Sequence, residues 1–342
     1  MRILICPDKF RGTATALAAA HAIAEGVSGA ARDTVLIPLA DGGEGTLAAL
    51  GGFNRVSTVS GPLGDPVEAR WRISGRRAVV EMAEASGLLV AGGAERNDPL
   101  SATTSGTGEL ISEARTAGAK RIVIGVGGSA STDGGLGAIR AMEPLVRFSG
   151  VDLMVACDVD TKFLEAPAVF GPQKGATKAQ IELLERRLGR LSDLYLEEYG
   201  TDVTDLQYSG AAGGLAGGLA AIGARLVNGF ELIAEEVALE DAVSAADIVI
   251  TGEGRLDTES FNGKVVGGVV AMAEERQKPV VAVVGSCDPG VVLPDDMTVH
   301  SLVENFGPER AYDQTTRCLT NLGPQILTDP VSYTHLTLPT KA

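Results

Sequence analysis

The feature that most constrains this chain is a recurrence: short apolar runs of strand length, each followed at once by glycine, hydroxyl and carboxylate residues. Arg2–Cys6 runs into Pro7-Asp8-Lys9, Val35–Leu39 into Asp41-Gly42-Gly43-Glu44, and Arg121–Gly125 into Gly127-Gly128-Ser129. Asp152–Asp158 ends on its own carboxylate, and Ile248–Thr251 is followed by Gly252-Glu253-Gly254-Arg255. Helical stretches lie between the runs, which makes β–α–β units and a parallel sheet the expected architecture. In such sheets ligands bind beyond the carboxyl ends of the strands. Turn chemistry accounts for any one of these loops, but not for their shared placement after strands.

The helices are read from caps and period. Thr13–Gly26 has Thr13 as its N-cap candidate and Gly26 at its C-terminal end. Thr107–Ala117, a stretch from about Gly135, the Gly/Ala-rich Gly213–Gly223 and Lys264–Arg276 also read as helical. Lys178–Tyr199 is the clearest amphipathic helix, with leucines at helical spacing and charges outside. Between Asn54 and Leu89 the texture changes to alternation broken by "GPLGDP" and "SGRR", which predicts antiparallel hairpins. The expected fold is therefore α/β with two α/β domains. A discontinuous flavodoxin- or Rossmann-like parallel domain (1–60 and 245–328) is interrupted by a mixed-sheet domain (61–244). The segment 329–342, "DPVSYTHLTLPTKA", lacks helical period and is set aside as non-native or disordered.

Composition enters by exclusion. A net charge of −15 argues against nucleic acid and anionic membrane, which need clustered Lys and Arg. It leaves a nucleotide open, because backbone N–H groups and a bound Mg²⁺ offset the field locally. The four cysteines are widely spaced with no CxxC, and the three histidines are scattered, so a zinc site is not expected. With no signal-peptide pattern and no long apolar span, a cytoplasmic protein is expected.

Known motifs serve as tests. "TESFNGKV" lacks the first glycine and the terminal hydroxyl residue of a P-loop. "GVGGSASTDGG" offers Gly125 and Gly127 but has Ala130 where a dinucleotide fingerprint places its third glycine, so an NAD(P)-dependent oxidoreductase stays open as an alternative. No GxSxG elbow is present and no histidine stands near a candidate serine. The remaining set of carboxylates, glycines, hydroxyls and a few basic residues suits Mg²⁺-assisted phosphoryl transfer.

In order along the chain, "PDKFRGT", "ADGGEGT", "GPLGDPV", "EMAEASGL", "TTSGTGELI", "IGVGGSASTDGG", "ACDV", "FGPQKGA", "GAAGGLAGGL" and "ITGEGRLD…GK" resemble the motif series of the type I glycerate kinases, from Met1 to about Leu302. The resemblance implies transfer of the ATP γ-phosphoryl group to D-glycerate with Mg²⁺, giving 2-phosphoglycerate. It further implies two α/β domains with the active site in the cleft between them. The sequence departs from the family pattern in three places. Arg11 replaces a frequent lysine, the stretch from Gly137 to Val155 is short, and the unusual tail replaces the last helix. A non-catalytic nucleotide-binding protein is the third alternative.

Site candidates follow from chemistry and placement. Gly127, Gly128 and Ser129 would offer N–H groups and a hydroxyl to an anion at a helix N-terminus, with Gly252, Glu253 and Gly254 as the second ligand-binding turn. Asp41 and Glu44 would hold Mg²⁺; the competing role for Asp41 is a helix N-cap. Asp8 and Lys9 would face the ligand, with a turn leading into a helix as the alternative. Arg11 would anchor a carboxylate or phosphate, or else form a surface ion pair. Asp133 is the candidate general base, against an Asx-turn. Asp158 would touch metal or substrate, because a carboxylate ending a buried strand needs a partner. Arg255 would clamp an anion with Asp257 holding it in place. Lys174 would reach a phosphate, or else be a solvated loop lysine, the reading preferred here. A small-molecule substrate and a homodimer complete the expectation.

Overall fold

A computed structural model describes residues 1–29, 33–294 and 297–328; the segment 329–342 set aside above lies outside them. The strands are β1 (Arg2–Ile5), β2 (Asp33–Leu36), β3 (Arg55–Ser60), β4 (Pro66–Ser74), β5 (Arg77–Glu81), β6 (Arg121–Gly125), β7 (Asp152–Cys157), β8 (Arg225–Asn228), β9 (Ile248–Leu256), β10 (Val280–Cys287) and β11 (Met297–Ser301). The chain forms two compact units: Met1–Leu39 with the segment from Val237 onward, and Ala40–Glu236.

In the first unit the strands stand in the order β2-β1-β9-β10-β11, every neighbouring pair parallel. Counted along this unit alone the order is 2-1-3-4-5, the flavodoxin-like arrangement. Its central strands β1, β9 and β10 are largely buried, with Ile3, Ile5, Val249, Ile250 and Val283 fully shielded from solvent. β9 extends beyond the predicted end at Thr251, because β10 pairs with it as far as Leu256. Gly252, Glu253 and Gly254 therefore lie on extended strand, and the turn expected there is absent.

The helix after β1 runs Ala16–Val27, and its N-cap is Thr15, whose hydroxyl accepts from Ala18 N at 3.2 Å. Thr13, the expected cap, instead donates to Phe10 O within the preceding turn. Gly26 lies inside the last turn. A Cβ there would sit 2.9 Å from Cα of Gly323 on the helix Thr315–Thr328. A glycine costs a helix about 1 kcal/mol relative to alanine, and here it permits backbone-to-backbone contact of two helices.

The second unit carries a mixed six-stranded sheet, β3-β4-β5-β6-β7-β8. β3–β4 and β4–β5 are antiparallel, the predicted hairpins, while β5 through β8 run parallel. Residues 40–60, grouped above with the first domain, include β3, the edge strand of this sheet. Trp71 on β4 is 3% exposed and donates its indole N–H to Ser57 Oγ at 3.0 Å, a packing role. The helix Lys178–Tyr199 has the predicted bounds. Thr177 and Gln180 form its capping box, and Gly200 at φ 71° ends it. Leu184, Leu188, Leu191 and Tyr195 form its buried face. Among the described residues no helix is long and apolar enough to cross a membrane.

Candidate active site

In the second unit the carboxyl ends of β5, β6 and β7 form one edge, and the loop 41–44 lies across it. Gly42 O accepts from Val126 N at 3.0 Å, and a Cβ on Gly42 would fall 2.7 Å from Ala156 O. Asp41 Oδ1 accepts from Gly43 N at 3.2 Å, an Asx-turn rather than the N-cap considered above. A Cβ on Gly43 would stand 3.1 Å from Asp41 Oδ1 and 3.4 Å from Asp158 Oδ2. Two carboxylates that are far apart in sequence thus converge on one glycine. The predicted metal pair, Asp41 with Glu44, is accordingly redrawn. Asp158 is the neighbour of Asp41 at Gly43, and Glu44 turns towards Gly128, with its Oε1 2.7 Å from where a Cβ would be.

The packing also explains the bare loop after β6. A Cβ on Gly127 would lie 2.5 Å from Cα of Gly43 and 2.9 Å from Glu44 N. Bulk is excluded at Gly127 by this second loop, whereas Gly128 is needed for its positive φ of 69°. The expectation that Gly127, Gly128 and Ser129 open a helix fails, because the next helix is Leu136–Met142, only seven residues long. The intervening loop is tied down instead. Leu88 N donates to Gly128 O, Ala130 N to Ser86 O and Tyr195 Oη to Gly134 O.

Asp133, the candidate base, is occupied by structure. Its Oδ2 accepts from Thr104 N and Thr104 Oγ1, both at 2.8 Å, from Gly137 N at 3.2 Å and from Thr103 Oγ1 at 3.3 Å. Its Oδ1 takes Gly135 N at 3.2 Å. A carboxylate so fully engaged anchors a loop, and the general-base assignment is withdrawn. Lys174 is not solvated. It is 1% exposed, its Nζ donates to Ser131 O at 2.5 Å, and burial pushes its pKa down to about 7.

Sequence reasoning missed Glu81, at the end of β5. Its Oε1 accepts from Gly45 N at 3.1 Å and its Oε2 from Leu47 N at 2.9 Å, so this side chain caps the helix Thr46–Ala49 and fixes the loop 41–44. Burial, then the nearby Glu84 and Glu44, hold its carboxyl above the ordinary range despite those two hydrogen bonds. The signal was available: a carboxylate ending a strand, by the same rule applied to Asp158.

In the first unit the reversal of strand order falls between β1 and β9, where Asp8 N donates to Gly252 O at 2.8 Å. Asp8 is 7% exposed; its Oδ1 accepts from Lys9 N at 2.7 Å and faces Lys9 Nζ at 3.7 Å. Glu253, opposite on β9, has a buried Oε1 with no hydrogen-bond partner. Burial, with the charge of Asp8 as a lesser cause, pushes its pKa up to about 7. A hydrogen bond from Ser260 and then the charge of Lys264, which precedes the helix Val265–Glu274, draw it back down; Lys264 is a further group that sequence reasoning left without a role. Arg11 is exposed, and its backbone N passes 3.0 Å from where a Cβ on Gly254 would be.

Arg255 forms its fork with Asp288, Nε–Oδ1 at 2.8 Å and Nη2–Oδ2 at 2.7 Å, and not with Asp257. Asp257 instead caps the short turn Thr258–Phe261 through Glu259 N and Ser260 N. The β9–β10 ladder, which pairs Arg255 with Ser286 and Leu256 with Cys287, carries Arg255 and Asp288 to neighbouring positions.

Among the described residues no group of three or more His, Cys, Asp or Glu is arranged to hold a metal. A pair of carboxylates is nonetheless the donor set that suits Mg²⁺, which keeps waters and takes phosphate oxygens as its other ligands. The hard oxygens of Asp41 and Asp158 beside Gly43 fit that ion.

The profile of the "Glycerate kinase family" matches residues 3–146 and 142–328, two pieces that meet inside the stretch read above as short. A glycerate kinase of Halalkalibacterium halodurans is 41% identical over 84% of this chain and 86% of its own length. A glycerate 2-kinase of Escherichia coli K12 is 38% identical over 94% of this chain and 97% of its own. The crystal structure of a glycerate kinase 2 from Salmonella typhimurium LT2 superposes with a TM-score of 0.76 at 34% identity, covering 95% of this chain and 98% of that one. Motifs, fold and full-length similarity agree: this chain belongs to the glycerate kinase family and is an enzyme, a kinase.

Proposed function

We propose that the protein transfers the γ-phosphoryl group of ATP to D-glycerate in an Mg²⁺-dependent reaction, and that the product is 2-phosphoglycerate. The reading is carried by the convergence of Asp41 and Asp158 on Gly43, at the carboxyl edge of β6 and β7. The E. coli relative named glycerate 2-kinase supports the choice of hydroxyl. Bound there, Mg²⁺ would supply neutralisation of the negative charge on phosphate oxygens. Asp41 and Asp158 are assigned to hold the ion, while Glu81 keeps their loop in place through Gly45 and Leu47. Gly128 and Ser129 are assigned to the phosphate-bearing ligand.

In the first unit, Glu253 replaces Asp133 as the proposed proton acceptor for the substrate hydroxyl, because a carboxyl with a pKa near 7 exchanges protons efficiently at neutral pH. Lys9 and Arg11 are assigned to the glycerate carboxylate. Gly252 and Gly254 are assigned to backbone packing, and the exposed Arg255–Asp288 pair is left outside the reaction. A dinucleotide-dependent oxidoreductase is disfavoured, since a fingerprint glycine loop must open directly into a helix and this one does not. As a small-molecule kinase the protein is assigned to the cytoplasm. The deciding experiment incubates it with ATP, Mg²⁺ and D-glycerate and follows the product by phosphorus NMR. A 2-phospho ester is expected; a 3-phospho ester overturns the choice of hydroxyl, and no phosphoglycerate overturns the reaction.

A further inference from the structure

We infer that the second unit contains a further binding site, for an amphipathic anion, a molecule with an aliphatic body and a carboxylate head, behind the loop that follows β6. The site is a cavity of about 360 Å³ beside the helix Lys178–Tyr199. Leu188, Leu191 and Leu194 of that helix line one wall and Leu136 another. These leucines recur at the three-residue spacing that places them on one helical face. The volume lies in the range of small-ligand pockets, and the predominantly apolar lining with a few polar groups is typical of them.

Two observations select the ligand. Arg187 and Arg190 line the cavity and are exposed, in a chain whose net charge is −15. Arg187 Nη1 is anchored by Leu100 O at 2.9 Å, which orients its guanidinium with donors to spare. Asp98 lies near enough to Arg187 to feel its charge, but its carboxylate already accepts from Ser101 Oγ and Leu100 N. Secondly, Thr132 lines the same cavity, and its buried hydroxyl, just beneath that wall, has no hydrogen-bond partner. Buried hydroxyls are ordinarily satisfied, and one left over behind a cavity wall is a donor that a small rotation of its side chain brings to a ligand. Asp133 also lines the cavity, and its five intramolecular donors leave little need for a cationic ligand. The wall helix Leu136–Met142 ends where the two pieces of the family match meet, so the cavity borders the place where this chain departs from its relatives.

The test titrates the full-length protein with octanoate, octan-1-ol and octylammonium by calorimetry, and follows leucine methyl resonances by NMR. Octanoate is expected to bind at one site, more tightly than the other two, and to shift the methyls of Leu188, Leu191 and Leu194. The double variant R187E/R190E changes two exposed side chains outside the proposed catalytic groups. It is expected to weaken octanoate about tenfold and to leave octan-1-ol unchanged. Equal binding of octanoate and octan-1-ol, preference for octylammonium, no loss in the double variant, or methyl shifts elsewhere would each overturn the inference. All readouts are independent of phosphoryl transfer.

Discussion

Replacing Lys174 by methionine tests the electrostatics of the loop after β6. The side chain is fully buried, with its Nζ on Ser131 O, and its pKa is lowered from 10.5 to about 7. At about 1.4 kcal/mol per unit, carrying the charge inside the fold costs on the order of 5 kcal/mol when the lysine is protonated. The sign follows from proton counts. Below pH 7 both folded and unfolded chains hold the proton, and the full cost is present. Between pH 7 and 10.5 the unfolded chain holds it while the folded chain releases it, so wild-type stability rises with pH. From pH 7 to 9 this amounts to at most roughly 2–3 kcal/mol. The methionine variant lacks this dependence and loses the hydrogen bond to Ser131 O, a pH-independent loss of about 1–3 kcal/mol. Urea unfolding at pH 6, 7.5 and 9 should therefore find the variant more stable than wild type at pH 6, with that advantage shrinking by roughly 2–3 kcal/mol by pH 9. A difference between the two proteins that stays flat from pH 6 to 9 would refute the argument.

Three further outcomes are expected. Glu253→Gln should lower kcat about 10²-fold or more and remove an acidic limb near pH 7 from the rate profile. Because the folded pKa of this carboxyl is raised, the wild type should also lose stability relative to the variant as pH climbs from 4.5 through 7; an unchanged limb would contradict the assignment. Glu81→Ala leaves Gly45 N and Leu47 N without their acceptor and should cost about 1–3 kcal/mol, with faster amide exchange at those two positions as the specific readout. Gly127→Ala drives a Cβ against Cα of Gly43 and should cost about 1–3 kcal/mol together with turnover. Gly128→Ala meets only the movable end of Glu44, and its cost, about 1 kcal/mol, comes from the positive φ; calorimetric melting of the two variants should rank them in that order.

Much of the fold was legible because its signals are local. Apolar runs followed by glycine and acid marked β1, β6, β7 and the start of β9, and the Thr177/Gln180 box with Gly200 delimited Lys178–Tyr199. The hairpin turns separated β3, β4 and β5 from the parallel strands. The end of β9 was not legible, because its continuation past Thr251 rests on pairing with β10 rather than on residue preference. The same limit applied to side chains. That Asp133 and Arg255 carry polar chemistry is written in their types, but the partners that occupy them, Thr104 and Asp288, come from other turns of the chain.

By itself, then, the sequence determined the element types, the flavodoxin-like and mixed sheets, and the family, because periodicity, turn chemistry and ordered motifs act over a few residues at a time. Only the tertiary structure decided which carboxylate meets which. It drew Asp158 to Asp41 at Gly43, handed the capping of the loop to Glu81, enclosed Lys174 and left Glu253 Oε1 unpaired. Those are properties of burial and of contacts between distant segments, and burial sets the cost of a charge or of an unmet hydrogen bond only once the fold has closed around it.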